Sequence, residues 1–529
     1  MRKTLKLFYV LTLFYSTAFG FKILLYNPKF AQSHVTFTGK LADTLAAAGH
    51  DVVIYQPEFN ENITITGSKN KNVRVYSMPR DPTYEPDFTV DSVTGNLFEE
   101  ESFSRKKAMA TNMNRIKSGL CELILNDDKN FQKMKAENFD LGITELFESC
   151  GYGVFKKIGL EKYITTYSSS VFPSSVELLG VKAHPSYLPG IMGTTTDQMN
   201  FPQRIWNFIN YFIESWMVKA MFMSGSEKAI GKHYSGFSMN DAVADSAFYF
   251  VNSDEHVDFA QPITHKIIYM AGLGKIQSQP LEKKYTDIFD SAKKGVILFS
   301  FGSVAQSVSM KPEMKKAFLE AFAEFPDINF LWKYEKDEDQ ITKGYKNVFT
   351  GKWLPQNDIL DHPKLLAFIS HGGMNSVMEG AAKGVPMICV PLFADQNRNS
   401  LMLQRRGMAI KLEKSQITKE NIVKNIKEII SNEKYRKNAK ILSKMIGAKP
   451  TKAEERVVKY AEFAAQFGDT GTLQIEGRYQ SFFVLYSLDV ISFLVTVTAL
   501  SVAVLIWAVK KALNSLKQKL LVSDKKKRN

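Results

Sequence analysis

Apolar positions along the chain fall into two series in which short unbroken runs alternate with helix-length segments. Phe21-Lys22-Ile23-Leu24-Leu25-Tyr26 reads as a buried strand, His34 to Ala48 as a helix with Phe37, Leu41, Leu45 and Ala48 at helical spacing, and Asp51 to Tyr55 as the next strand. Together they predict a β-α-β unit, with Gly49 supplying the left-handed turn that ends the helix. Phe139 to Thr144 predicts a further strand, with Asp140 at its start. Between about 200 and 225, Phe201, Ile205, Trp206, Phe208, Tyr211, Phe212, Trp216, Met217, Met221 and Phe222 crowd together. That density fits a lipophilic pocket wall, a face leaning on a membrane, or an ordinary core helix.

The pattern relaxes into a polar stretch from Ala271 through Lys284, and a second series then begins. Gly295 to Ser300 predicts a strand, Pro312 to Phe325 a helix with Met314, Phe318, Ala321 and Phe325 inward, and Asn329 to Tyr334, Leu365 to Ser370 and Val385 to Val390 further strands. Such alternation builds parallel sheets covered by helices. The expected fold class is therefore α/β, with two Rossmann-like domains facing across a cleft at the carboxyl ends of their strands, where open sheets bind ligands.

The two ends carry different signals. Arg2, Lys3 and Lys6, an apolar stretch from Leu7 to Phe14, and Ala18-Phe19-Gly20 predict a secretory signal peptide. Val490 to Val509 lacks any charged side chain and is long enough as a helix, about 30 Å, to span a bilayer. Lys510 and Lys511 follow at once, so the positive-inside bias places the C-terminus in the cytosol and Phe21 to Asp489 in a lumen.

The formal net charge of +14 would suggest nucleic acid if it were spread over the folded body. It is not: the segment after the span carries +7 and the first 20 residues +3, leaving +4 for the rest. The tail faces anionic lipid headgroups more naturally than nucleic acid. Its ending, Lys526-Lys527-Arg528-Asn529, has the form of a dilysine retrieval signal. Three cysteines, Cys121, Cys150 and Cys389, allow one bridge with one thiol left over and offer no metal-type spacing. Asn62-Ile63-Thr64 is a glycosylation sequon on the lumenal side.

The clearest chemistry lies where Ala367 to Ser376 turns from strand to helix. There His371, Gly372-Gly373, Asn375, Ser376 and the free amides of the helix start converge, an arrangement suited to a diphosphate. Phe301-Gly302-Ser303 ends the opening strand of the same half with a second glycine turn. G-x-G-x-x-G is absent, so a nicotinamide cofactor is not indicated.

Trp353 to Gln396 resembles, along its whole length, the nucleotide-sugar signature of the UDP-glycosyltransferases. Its elements stand as Trp353-Leu354-Pro355-Gln356, Asp361-His362-Pro363, Phe368 to Gly373, Asn375-Ser376, Glu379, Gly384-Val385-Pro386, Pro391 and Asp395-Gln396. Domain order, signal peptide, C-terminal span and dilysine ending are similar to the animal UDP-glucuronosyltransferase branch. The resemblance implies a GT-B type glycosyltransferase. It divides the chain into a signal peptide at 1–20, an acceptor-binding α/β domain at 21–275, a linker at 276–285 and a UDP-sugar-binding α/β domain at 286–450. C-terminal helices and a lumenal stalk follow at 451–489, a transmembrane helix at 490–509 and a cytosolic tail at 510–529.

By the same resemblance Trp353 stacks on uracil, Gln356 bonds its edge and Glu379 accepts from the ribose hydroxyls. Ser303, His371, Gly373, Asn375 and Ser376 hold the diphosphate, and Asp395 and Gln396 contact the donor sugar. His34 is the expected base, supported by a carboxylate after a later strand. The family has an aspartate there; this chain has Glu145, one methylene longer. His50, His184, His265 and His362 read as structural. The implied reaction is an inverting displacement at the anomeric carbon, from UDP-glucuronate or UDP-glucose as co-substrate to a small lipophilic acceptor, with no bound cofactor and no metal. The implied setting is the endoplasmic reticulum membrane, as a single-pass glycoprotein of detoxification, with homo-oligomer formation a family-level expectation. A catalytically silent UDP-sugar-binding membrane protein is the remote alternative.

Overall fold

A computed structural model of the chain describes residues 20–85, 95–100, 102–273 and 278–528. The expected signal peptide, apart from Gly20, and part of the expected linker lie outside the described residues. Two compact units are present, residues 1–473 and 474–529.

The first unit contains two wholly parallel sheets. One is built from β1 (Lys22–Tyr26), β2 (Asp51–Pro57), β3 (Arg74–Met78), β4 (Leu141–Glu145), β5 (Tyr163–Tyr167), β6 (Tyr249–Val251) and β7 (Ile267–Tyr269), in the order β3-β2-β1-β4-β5-β6-β7. The other uses β8 (Gly295–Ser300), β9 (Ile328–Lys333), β10 (Val348–Gly351), β11 (Leu365–Ser370), β12 (Met387–Cys389) and β13 (Ala409–Lys411), in the order β10-β9-β8-β11-β12-β13. In each sheet the winding reverses beside the opening strand, between β1 and β4 and between β8 and β11. A crevice opens at such a switch point, because the two connections leave in opposite directions.

The helices that matter for the site are α1 (Gln32–Ala47), α2 (Phe103–Leu125), α3 (Phe201–Val218), α4 (Met374–Lys383), α5 (Gln396–Arg405) and α6 (Ala453–Phe467). Helix α1 follows β1, as the sequence implies, and buries Phe37, Leu41 and Leu45 against Ile23, Leu25, Val52 and Ile54. Strand periodicity sorts the second sheet's side chains onto its two faces. Val296 and Leu298 join one core, and Ile297 and Phe299 the other, where Phe299 stacks on Trp332. Helix α6 lies far along the chain yet packs Val457, Ala461 and Ala464 into the core of the first sheet. Cys121 on α2 is bridged to Cys150 just after β4, and Cys389 is the free, buried thiol.

The segment around 200–225 departs from one of the readings its composition allowed. Of α3 only Asn207, Glu214, Met217 and Val218 are buried, while Phe201, Ile205, Trp206, Phe208, Ile209, Phe212 and Trp216 are exposed. It is therefore not a core helix. The second unit is dominated by α7 (Leu488–Arg528), one continuous helix that holds the apolar run 490–509 and continues through the basic segment. By length and composition it is able to cross a membrane.

Candidate active site

A cavity of about 1160 Å³ lies between the two sheets. Its walls come from both halves of the first unit: the loop after β1 and the start of α1, the residues after β5, the turn after β8, the start of α4 and the loop before α5. His34, Ser303, Trp353, Gln356, His371, Gly373, Asn375, Ser376, Glu379, Asp395 and Gln396 all line it. Glu145 is held behind His34.

His34 stands in the first turn of α1, and Glu145 ends β4, so the switch point of the first sheet brings together residues 111 positions apart. His34 Nδ1 lies 2.8 Å from Glu145 Oε2 and 3.2 Å from the Ser168 hydroxyl. The other carboxylate oxygen accepts from the Ser168 amide at 3.0 Å. The extra methylene of glutamate thus leaves the carboxylate within hydrogen-bond reach. With Nδ1–H donated to a carboxylate, Nε2 is the nitrogen that can accept a proton. Burial pulls the imidazole's pKa down, but the charge and hydrogen bond of Glu145, aided by Glu148, more than reverse this, and the net shift is upward. Burial alone would raise the Glu145 pKa; the His34 charge and the hydrogen bonds from His34 and Ser168 hold it below the usual value.

In the second sheet, β11 ends at Ser370 and α4 begins at Met374 with Gly373 at its cap. The His371 ring is wedged between two glycine turns. An added Cβ on Gly373 would lie 2.4 Å from His371 Nε2, and one on Gly302, whose φ is +79°, 2.8 Å from Cε1. Burial, with the Lys333 charge acting in the same sense, pushes the His371 pKa down to about 4, so the ring is neutral near pH 7. Its Nδ1 is buried without a hydrogen-bond partner among the described residues. The site therefore offers a neutral donor, hydroxyl and amide side chains and helix-start amides, which suit a polyanion.

Gln356 Nε2 donates to Glu379 Oε2 at 2.7 Å and to Ser376 Oγ at 3.2 Å, joining three signature residues in one cluster. Trp353 is two-thirds exposed on the cavity wall, with its indole free to take a flat ring. Gln396 is buried, and its side-chain oxygen accepts from the Leu392 and Phe393 amides, leaving the amide nitrogen as a donor. Asn62 of the sequon is exposed.

Sequence reasoning missed the contacts that cross the cavity. Ser169 Oγ donates to Asp395 Oδ2 at 2.5 Å, and Asn252 Nδ2 to Asn375 Oδ1 at 2.8 Å. Outside the cavity wall, Arg398 of α5 pairs with Asp258 of the first half at 2.8 Å, both fully buried. Beside His34, whose ring meets Phe147 edge-on at 5.6 Å, the cavity has an apolar end with Phe30, Met113, Phe147, Ile191, Met221 and Phe222 in its wall and the Lys117–Glu148 ion pair at 3.4 Å among them. Of the aromatic segment at 200–225, only Met221 and Phe222 reach the cavity wall.

Residues 22–527 match the family model described as UDP-glucoronosyl and UDP-glucosyl transferase. The Caenorhabditis elegans protein ugt-48, whose name assigns it provisionally to the UDP-glucuronosyltransferases, is 30% identical over 93% of this chain and 94% of its own. UDP-glucosyltransferase 2 of Dactylopius coccus is 29% identical, covering 90% of each chain, and UDP-glucuronosyltransferase 3A1 of Bos taurus 28% identical, covering 88% of each. Among solved structures, the spinosyn forosaminyltransferase SpnP superposes with a TM-score of 0.56 at 16% identity, covering 84% of this chain and 99% of its own. Os79 of O. sativa in complex with UDP gives a TM-score of 0.54 at 17% identity, covering 84% of this chain and 100% of its own. These likenesses identify the two-lobed glycosyltransferase fold.

Proposed function

The chain belongs to the UDP-glucoronosyl and UDP-glucosyl transferase family, and on that premise we propose that it moves a sugar, glucuronate before glucose, from UDP onto a hydroxyl of a small lipophilic acceptor with inversion. The observation that carries this reading is the His34–Glu145 pair at 2.8 Å, which shares one cavity with the residues of the 353–396 signature. His34 Nε2 takes the acceptor's proton while its oxygen attacks the anomeric carbon. The carbon–oxygen bond to UDP breaks from the opposite side, and the diphosphate leaves toward the α4 start.

The proposed assignments are uracil on Trp353 with Gln356 at its edge, ribose on Glu379, diphosphate on Ser303, His371, Gly373, Asn375 and Ser376, and sugar on Asp395 and Gln396. The acceptor takes the apolar end, which accounts for its lipophilic character. The relatives carry both donor names, so UDP-glucose is the second reading. The Cys121–Cys150 bridge and the exposed Asn62 support an oxidising lumen as the compartment. With α7 as a single C-terminal span and a lysine-rich end, the proposed setting is the endoplasmic reticulum membrane, with the catalytic lobes lumenal and the tail cytosolic.

The test supplies microsomes holding the parent chain or His34→Ala with radiolabelled UDP-glucuronate or UDP-glucose and a panel of phenols. The expected result is transfer, strongest from UDP-glucuronate, that is lost in the variant. Unchanged transfer by His34→Ala removes it as the base, and no transfer from any donor by the parent chain favours silent binding.

A further inference from the structure

Helix α3 is amphipathic the wrong way round for a globular protein. Phe201, Ile205, Phe208, Ile209, Phe212 and Trp216 recur at spacings of three and four along one stripe, with Trp206 beside it, and all are exposed, Phe201 by 66% and Phe212 by 57%. The buried side of the same helix holds Asn207, whose amide donates to the Pro185 and Leu188 carbonyls, and Glu214, which accepts from the Met192 amide. A capping box between Asn200 and Gln203 fixes the helix start, so the stripe is a rigid surface.

We infer that this stripe is an interfacial helix that seats the N-terminal lobe on a lipid bilayer. Three observations favour lipid over other occupants. The stripe carries Trp and Phe, whose amphipathic or aromatic bodies suit the headgroup boundary; its exposed charged neighbours are Arg204 and Lys219, and the helix's one acid, Glu214, is buried. The segment 474–487 connects the first unit to α7, so a bilayer that holds α7 is tied to the lobe by a link that spans at most roughly 50 Å when fully extended. Finally, α3 runs directly into the π-helical segment Lys219–Met223, whose Met221 and Phe222 line the apolar end of the cavity. A bilayer at α3 would thus lie beside the segment that meets a lipophilic acceptor; this last point rests on the function proposed above and the second on α7 as a span, while the first stands on α3 alone.

The chain's five tryptophans permit a direct test. Full-length protein carrying Trp507→Phe, which removes the indole of the apolar helix, is reconstituted into phosphatidylcholine vesicles with and without lipids brominated near the top of their acyl chains. Tryptophan emission is expected to fall in the brominated vesicles, and adding Trp206→Phe and Trp216→Phe removes the quenchable part. Equal emission in both vesicle types overturns the inference. So does an emission change that tracks the protein-to-lipid ratio and not bromine, which assigns the stripe to a second copy of the chain. UDP binding is measured on the same samples. Binding retained without quenching overturns the lipid face alone, whereas quenching retained without binding overturns only the transferase reading. Phe208→Ser with Phe212→Ser, both at exposed positions, provides a second variant, expected to lower quenching while leaving UDP binding unchanged.

Discussion

Ser169 donates its hydroxyl to Oδ2 of Asp395 at 2.5 Å, and its neighbour Ser168 donates its backbone amide to Glu145 at 3.0 Å. One loop after β5 therefore holds both the carboxylate behind the proposed base and the carboxylate proposed to meet the donor sugar. Asp395 is also held by Asn399 at 2.9 Å, so Ser169 acts by orienting it. A hydrogen bond to a charged group contributes about 1.5–3 kcal/mol, or about tenfold or more in affinity. Ser169→Ala is expected to raise the KM for the UDP-sugar about tenfold and leave the Kd for UDP itself unchanged, with Ser169→Thr restoring the parent value. Initial-rate kinetics beside UDP calorimetry checks this; an equal loss for UDP and UDP-sugar contradicts it.

The His34–Glu145 pair sets the pH dependence. His34 must be neutral to take a proton, and its pKa lies above the ordinary 6.5 because the Glu145 carboxylate outweighs burial. Activity should therefore fall as pH drops, on a limb that inflects above 6.5. Glu145→Gln removes the negative charge, so the limb moves to lower pH while the plateau rate drops, by about a hundredfold if most of the base's contribution is lost. A pH profile of kcat/KM for both proteins reads this. A limb at the same pH in both would sever the link between the two residues.

Gly373 and His371 cannot tolerate a larger neighbour between them. A Cβ 2.4 Å from Nε2 must displace the imidazole, whose Nε2–Cε1 edge is also closely approached by Gly302. Overpacking of this kind costs about 1–3 kcal/mol. Gly373→Ala is expected to lower Tm by a few degrees and to weaken UDP binding at least as much as His371→Ala, as measured by thermal unfolding and calorimetry.

Glu214 gives the fold a pH-sensitive point away from the cavity. Burial, partly offset by the Met192 amide and the Arg398 charge, raises its pKa from 4.5 to about 7. The folded chain then binds a proton that the unfolded chain has lost, so stability declines as pH rises from 4.5 through about 7. Glu214→Gln should flatten this slope and stabilise the protein at pH 8 by on the order of 2–3 kcal/mol. Denaturant unfolding at pH 5 and pH 8 measures both effects, and parallel pH dependence in the two proteins contradicts the assignment.

The legible and illegible parts of this molecule differ for a physical reason. The 353–396 segment is contiguous, and the turn from β11 to α4 that gathers His371, Gly373, Asn375 and Ser376 follows from the strand and helix periods, whereas Trp353, Gln356, Glu379, Asp395 and Gln396 stood out only through the family resemblance. His34 stood out only through the family resemblance, because a histidine in the first turn of a helix reads equally well as a cap or a core residue. The acceptor end gathers Phe30, Met113, Lys117, Phe147, Ile191 and Phe222 from separate segments, so no local pattern marks it. Ser169 and Asn252 were hidden because their partners belong to the other sheet. The crowding of apolar residues at 200–225 marked the segment but not which way α3 would face, since apolar side chains read the same whether protein or lipid covers them. Helix α6 likewise joined the first sheet's core from the far end of the second half, a long-range return that no local signal encodes.

The central claim is that the cavity holds UDP between the indole of Trp353 and the turn bearing His371. Isothermal titration of UDP into the purified full-length protein, alongside Trp353→Ala, measures it most directly. The account expects saturable one-to-one binding by the parent chain and an affinity at least about tenfold weaker in the variant, equivalent to about 1.4 kcal/mol. Absence of saturable heat from folded parent protein, or equal affinity in the two, contradicts it.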